Sequence, residues 1–264
     1  MAKAKYVINI EKAKVYLDDR LILKNLSWKV RRGEHWFILG ANGAGKTTLV
    51  KMLMGFVWPV HGATVEVLGN TYGQVNLADV RKEIAWVSPF IQQWTSNQWT
   101  GLEMVISGLD ATLGLFRAPE PAEIERAMAV MNKLDCAHLA ERRIGWMSSG
   151  EQVKMLICRA LICNPQLVIL DEACVHLDLK GREYLLDTID EMARRKDSPT
   201  MVFITQRLEE ILPSFEQGLI LREGRIVAAG QRAEIITEKN LFKTFDIKVH
   251  LRVSAKGRIW PALE

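Results

Sequence analysis

Apolar residues recur along this chain at two different periods. Residues 6–39 show short alternating stretches that predict strands, with the turn Arg31-Arg32-Gly33-Glu34 between two of them. The last stretch is the apolar run Trp36-Phe37-Ile38-Leu39, and a helical pattern follows from Leu49 to Met54. Ala63 to Leu68 and Ile84 to Val87 again predict strands. From Gly101 to about Cys163 the spacing is helical, broken at Ala118-Pro119-Glu120-Pro121 and at Gly145. Leu167-Val168-Ile169-Leu170, after Asn164-Pro165, is the compact apolar run of a buried parallel strand. A helix from about Lys180 to Arg195 and a strand from Met201 to Thr205 follow. Glu223-Gly224 predicts a hairpin joining Leu219-Ile220-Leu221 to Ile226-Val227-Ala228. The tail from Lys248 to Trp260 predicts added strand or extended structure. The sum is an α/β core interrupted by a helical insert at roughly 95–150.

Between the run 36–39 and the helical pattern lies Gly40-Ala41-Asn42-Gly43-Ala44-Gly45-Lys46-Thr47-Thr48, which fits G-x-x-x-x-G-K-[ST]. Strand, glycine-rich loop and helix in that order make a phosphate cradle. The glycines allow a tight curl that turns successive N–H groups inward, and the helix beginning near Gly45 adds the positive end of its dipole. Lys46 is placed to bridge β- and γ-phosphates, and the Thr47 hydroxyl to bind Mg²⁺. An ordinary glycine-rich turn is the bland alternative.

The bulk composition narrows the class. The 264 residues are 48% hydrophobic and 25% charged, ordinary for a globular protein, and no apolar stretch approaches the length of a membrane span. The start Met1-Ala2-Lys3-Ala4-Lys5 leads into strand-like sequence rather than a signal peptide's apolar core, which predicts a cytoplasmic location, with any membrane contact made through a partner. The net charge of +4 is scattered, which argues against a nucleic-acid face. Cys136, Cys158, Cys163 and Cys174 form no C-x-x-C, and their apolar flanks predict free buried thiols. The five histidines lack metal-ligand spacing.

Two further segments carry chemistry. Leu167 to Leu170 runs into Asp171-Glu172. Asp171, at a strand's carboxyl end, is placed to hold Mg²⁺, and Glu172 to polarise an attacking water. Met147-Ser148-Ser149-Gly150-Glu151-Gln152 opens the helix leading to Asn164-Pro165. Ser148-x-x-Glu151 fits a capping box. The same cap presents the Ser148 hydroxyl, the Gly150 N–H and a helix N-terminus to the γ-phosphate of a nucleotide held by another copy.

With these parts in this order the chain resembles the ATP-binding cassette (ABC) ATPases over residues 6–230. The resemblance rests on G-A-N-G-A-G-K-T-T, M-S-S-G-E-Q, L-V-I-L-D-E and His176-Leu177-Asp178. It implies an α/β P-loop NTPase core with an antiparallel β-subdomain and a helical signature lobe. One nucleotide-binding domain would span 1–264, with the lobe at about 95–150 and a C-terminal extension at about 240–264. ATP and Mg²⁺ would be bound by Gly40, Asn42, Gly43, Ala44, Gly45, Lys46, Thr47 and Thr48, with Asp171 on the metal. Ser148, Ser149 and Gly150 would complete the site from a second subunit, a homodimer mate or related cassette. Tyr16 matches the aromatic that stacks on adenine; a plain strand aromatic is the alternative. Asp178 matches the loop that crosses to the opposite subunit. Thr100 to Gly108 is loosely similar to importer-type cassettes for iron chelates and oxyanions, and to their soluble relatives. The implied activity is ATP hydrolysis that energises a membrane transporter through a separate permease, at the inner face of the membrane. The alternative is a soluble ATP-dependent switch without a permease.

The chain departs from that pattern at three places. Pro89 stands where the family carries a glutamine; Gln92 or Gln93 is then the side chain offered to Mg²⁺ or water, with Gln92 assigned to the metal, and surface glutamines are the alternative. Gln206 replaces the switch histidine, which predicts a slower hydrolysis in which Glu172 and Gln206 share the catalytic role. Ala173 and Cys174-Val175-His176 replace the usual proline and small residues, with His176 either near the dimer seam or simply packed. Of the eight tryptophans, Trp28, Trp36, Trp58 and Trp86 are read as packing. Trp94 and Trp99 either face a membrane partner or fold back on the helical lobe.

Overall fold

The computed structural model describes residues 5–88, 96–110, 114–175 and 177–263. Strands β1 (Tyr6–Leu17) and β2 (Arg20–Arg31) form a hairpin, and β3 (Trp36–Leu39) leads into helix α1 (Lys46–Leu53). β4 (Thr64–Val67), β5 (Asn70–Thr71), α2 (Leu77–Lys82) and β6 (Ile84–Val87) follow. The helical lobe holds α3 (Gly101–Ile106), α4 (Pro121–Lys133) and the start of α5 (Ser149–Leu161). Next come β7 (Leu167–Asp171), α6 (Leu179–Ala193), β8 (Thr200–Thr205) and the hairpin β9 (Gln217–Arg222) and β10 (Arg225–Gln231). The chain ends in α7 (Arg232–Ile235), α8 (Glu238–Phe245) and a second hairpin, β11 (Val249–Val253) and β12 (Ile259–Leu263).

The central sheet has the order β10-β9-β3-β8-β7-β6, with every pair from β9 to β6 parallel. Side chains alternate faces along each strand, and here both faces are buried. Phe37, Leu39, Val168, Leu170, Phe203 and Ile220 point into a core shared with α3 to α6. Trp36, Ile38, Leu167, Ile169, Ile204 and Leu221 point into a second core shared with α1 and a four-stranded antiparallel sheet, β2-β1-β4-β5. Burial on both sides is why the parallel strands read as unbroken apolar runs.

The α/β core, antiparallel subdomain and helical lobe stand as predicted. The details differ where local pattern is weak. The first strands are not short: β1 and β2 each run 12 residues. Register shifts between Tyr6 and Ile8, and again from Ile10 to Tyr16, interrupt their alternation. Trp28 and Trp36 are buried and meet edge to face at 5.6 Å. Trp58 is not core packing: it is 53% exposed in the connection after α1, with its ring edge-on to Tyr72. Trp99 folds back onto the helical lobe, T-shaped against Phe116. The tail forms the antiparallel pair β11/β12.

The β9–β10 turn ties the two sheets to the loop before α1. Glu223 and Gly224 both have positive φ, 49° and 75°, as a tight two-residue hairpin demands. The Gly224 N–H donates to the Ala44 carbonyl at 2.9 Å, and its own carbonyl accepts from the Lys24 N–H at 2.8 Å. A Cβ on Gly224 would stand 1.8 Å from the Ile22 carbonyl oxygen. Gly224→Ala is therefore expected to lower stability by about 2 kcal/mol or more, through the clash and the left-handed backbone. Urea unfolding checks it; a midpoint equal to wild type refutes the close-approach argument.

Candidate nucleotide site

The carboxyl ends of three adjacent strands meet in one place. Leu39 pairs with Thr205, and Asp171 with Ile204, so Gly40, Gln206 and Glu172 leave the sheet side by side. Ligand sites of parallel sheets form at such an edge. β6 joins the row through Val87 opposite Leu170. Pro89, Gln92, Gln93 and Trp94, which follow it, lie outside the described residues, as does His176.

The loop 40–45 is shaped by close backbone approach. A Cβ on Gly40 would meet the Leu221 carbonyl oxygen at 2.6 Å, while Gly43 and Gly45 take φ of 76° and 101°. Gly45 caps α1, and the Leu49 N–H donates to its carbonyl at 2.9 Å. The loop walls a cleft of about 310 Å³, lined by residues 42–48 together with Ile22 and Glu172. Thr47 is exposed there, and Thr48 is buried.

Lys46 is 5% exposed. Its Nζ donates to the Gly40 and Ala41 carbonyls at 2.8 and 3.0 Å and lies 3.1 Å from Glu172 Oε1. A buried ammonium needs such partners. Glu172 has φ of 51°, and its N–H donates to the Ile204 carbonyl at 2.9 Å, so the turn after β7 is locked to β8. Asp171 is buried. Burial first, and the neighbouring Glu172 charge second, push its carboxyl up to about 6, against the opposing pull of the Trp86 indole N–H and Lys46.

Tyr16 is 52% exposed near the β1–β2 turn. It does not line the cleft, but its strand partner Leu21 directly precedes Ile22, which does. The Lys24–Gly224–Ala44 hydrogen bonds hold this hairpin beside the loop.

The predicted capping box forms. Ser148 N-caps α5 and its N–H donates to Glu151 Oε2 at 2.7 Å, while Ser148 Oγ accepts from the Glu151 N–H. Ser148 is exposed and Gly150 buried; neither lines the cleft of its own chain. Asp178, also exposed, N-caps α6 by accepting from the Gly181 N–H at 2.7 Å. The two helix starts touch, since a Cβ on Gly150 would stand 3.3 Å from Gly181 Cα.

Gln206 is half-buried at the head of a short segment. Thr205 Oγ1 donates to the buried Glu210 carboxylate and accepts from the Arg207 N–H at 3.0 Å. Burial raises the Glu210 carboxyl. Sequence reasoning missed this pair, because nothing in T-Q-R-L-E-E distinguishes it from a polar loop. The thiols are free as expected; Cys136, Cys158 and Cys174 are buried and Cys163 half-buried. The Cys136 and Cys158 sulfurs are 3.4 Å apart, well beyond a disulfide bond length. Among the described residues, no three His, Cys, Asp or Glu side chains gather in a metal-binding cluster.

A glycine cradle with a buried lysine, beside a strand-end Asp-Glu pair, defines a P-loop nucleoside triphosphatase. The chain belongs to the ABC transporter family of ATP-hydrolysing cassettes, whose profile matches residues 23–175. It is 35% identical to the uncharacterised ABC transporter ATP-binding protein YlmA of Bacillus subtilis, over 93% of each chain. It is 29% identical to the energy-coupling factor transporter ATP-binding protein EcfA1 of Mesomycoplasma hyopneumoniae, over 85% of this chain and 80% of that one. The fold superposes on cbiO1 of Clostridium perfringens, part of the transporter complex cbiONQ, with TM-score 0.78 at 21% identity, covering 91% of this chain and 94% of that one.

The raised Asp171 pKa fixes a pH dependence. The carboxyl titrates at 3.8 in its ordinary state and at about 6 in the fold. Well below pH 3.8 it is neutral in both states and costs nothing. Between 4 and 6 the folded protein binds the extra proton, so stability falls as pH rises, and above 6 the penalty is complete. Asp171→Asn should therefore stabilise the protein without nucleotide by about 1–3 kcal/mol at pH 7.5 and by only about 0.5 kcal/mol near pH 4. Denaturant titration at the two pH values checks this; equal gains at both would refute it.

Proposed function

We propose that this chain is the ATP-hydrolysing subunit that energises a membrane transporter, working as a pair of cassettes closed by ATP. One observation carries the two-chain site. The cleft around Lys46 draws no lining residue from 148–150, while Ser148, the cap of α5, is exposed at a separate place on the surface. Helix N-termini of this kind bind phosphate. In this reading the triphosphate lies on the Gly40, Asn42, Gly43, Ala44 and Gly45 backbone of one chain, with Lys46 and Thr48 beside it. Ser148, Ser149 and Gly150 of a second chain meet its γ-phosphate. Tyr16 supplies a face for adenine, and Asp178 reaches toward the partner.

The site's oxygen donors suit Mg²⁺. Thr47 offers a hydroxyl at the cleft, and Asp171 a desolvated carboxylate whose charge a divalent cation would offset. Bound there, the ion would neutralise charge on the β- and γ-phosphates. Gln92 belongs to this assignment by sequence alone. Without nucleotide, Glu172 serves as the anion for Lys46. A triphosphate replaces it in that role, and the freed carboxylate then polarises the attacking water. Gln206 orients that water with a neutral amide, which makes turnover slower than with an imidazole. Loss of the γ-phosphate removes the bridge between chains and the pair reopens.

A groove of about 470 Å³ between α1, α2, β6 and the helical lobe supports the permease reading. Phe56, Trp86 and Leu109 give it apolar walls, and Arg81, Lys82 and Arg159 a positive rim. Phe56 is 55% exposed, with the Arg81 guanidinium 5.2 Å from its ring centre. No helix among the described residues is long and apolar enough to cross a membrane, and in this reading a separate permease supplies the translocation path.

Glu172→Gln should trap an ATP-dependent dimer, seen as a doubled mass on sizing with light scattering; a monomer at saturating ATP sinks the two-chain site. Gln206→His should raise kcat several-fold, about 1 kcal/mol off the barrier; an unchanged kcat removes Gln206 from the water-orienting role. Phe56→Asp should abolish co-purification with membranes and spare ATPase activity. Wild-type protein that is wholly free of membranes would select an ATP-dependent switch without a permease.

A further inference from the structure

Arg258 sits on the turn between β11 and β12 and is 8% exposed. A buried guanidinium usually fastens the element that carries it. Here its partners lie elsewhere. Nε donates to the Glu209 carbonyl at 2.8 Å, and Nη2 donates to the same oxygen. Nη1 and Nη2 together grip the Glu183 carboxylate, the second at 3.3 Å. That contact is the main reason the Glu183 carboxyl lies below its usual range. Glu209 is three residues past Gln206, in a single 3₁₀ turn (Leu208–Glu210). Glu183 is on α6, whose cap is Asp178.

The hairpin does not seat flush on this segment. A largely apolar hollow of about 210 Å³ separates Gln206, Leu208 and Glu209 from Phe245, Val249 and Leu263. Leu208 is buried in the core beneath, so the side of the segment that apolar packing holds least is the one lining the hollow, with Gln206 and Glu209. The inner end is held by Thr205 and Glu210. The outer end is held by the planar fork of Arg258, whose two-sided geometry a lysine cannot reproduce. The hairpin itself is held to the fold at its turn, where the Arg232 guanidinium donates to the Gly257 carbonyl at 3.0 Å.

We propose that the C-terminal hairpin sets the position of Gln206 over the nucleotide site, with Arg258 as the positioning residue. This rests on the reading that Gln206 acts in hydrolysis. Arg258 does not line the cleft around Lys46. It fixes the carbonyl of Glu209 relative to α6, and with it the direction in which the Gln206 side chain leaves β8.

The test compares Arg258→Met, Arg258→Lys, Gln206→Ala and the double variant Gln206→Ala/Arg258→Met in the full-length protein. Steady-state ATPase kinetics give kcat and KM, and a fluorescent ATP analogue gives nucleotide affinity. Arg258→Met and Arg258→Lys should each lower kcat about five- to tenfold, with KM and affinity within about twofold of wild type. Arg258→Lys keeps the charge and the stem, so it guards against loss of folding. The double variant should be no slower than Gln206→Ala alone, because one residue acts through the other. Additive slowing in the double variant, or wild-type kcat in both Arg258 variants while Gln206→Ala is slow, overturns the positioning role. Wild-type kcat in Gln206→Ala instead overturns the reading of Gln206, and this inference falls with it.

Discussion

A single buried ammonium organises the site. Lys46 is almost fully withdrawn from water, and two loop carbonyls and one carboxylate satisfy it. Isolated burial of that charge would cost several kcal/mol, so the loop and the turn after β7 are held to one geometry. The same arrangement makes the loop a place for an anion. In the proposed mechanism phosphate oxygens replace the partners of Lys46, and a replaced Glu172 is then free for water. Binding and activation are in this sense one exchange of ligands around a cation.

That exchange needs its members on different strands, and the sheet supplies them. β3, β8 and β7 end together because they are parallel neighbours in the interior of the sheet. Their two faces belong to different cores, one with the helical lobe and one with the antiparallel sheet. A close-packed interior transmits displacement rather than absorbing it. The strands that carry the loops are thus in direct packing contact with the lobe on one face and the antiparallel sheet on the other. The β9–β10 turn adds a second path, since Gly224 joins Lys24 on one side to Ala44 on the other.

Much of this was legible in the chain. The G-x-x-x-x-G-K-T run, the apolar strand before Asp171 and the S-x-x-E cap each involve residues within a few positions of one another, so their geometry is encoded locally. Ile84–Val87 matches its prediction residue for residue, and Leu167–Asp171 is one residue longer because Asp171 still pairs with Ile204. The losses have physical causes. Helix α2 spans six residues, too few to show a 3.6-residue period, and is stabilised by an Asn76 side chain that accepts from the Ala78 N–H. The bulged register of β1 and β2 breaks their alternation into apparent fragments. Trp58 was misread because an aromatic in a loop carries no periodic sign of which way it faces. The grip of Arg258 on Glu183 joins residues 75 positions apart, and a contact at that separation leaves no trace in spacing.

The meeting of Gly150 and Gly181 has one more consequence. Two helices begin at that contact, one capped by Ser148 and the other by Asp178, and a single methyl group would have to push neighbouring backbone aside. With so little clearance, neither cap can travel without carrying its neighbour. Both groups that face away from their own cleft thus form one rigid jaw, and a second polypeptide gripping either tooth would pull on both.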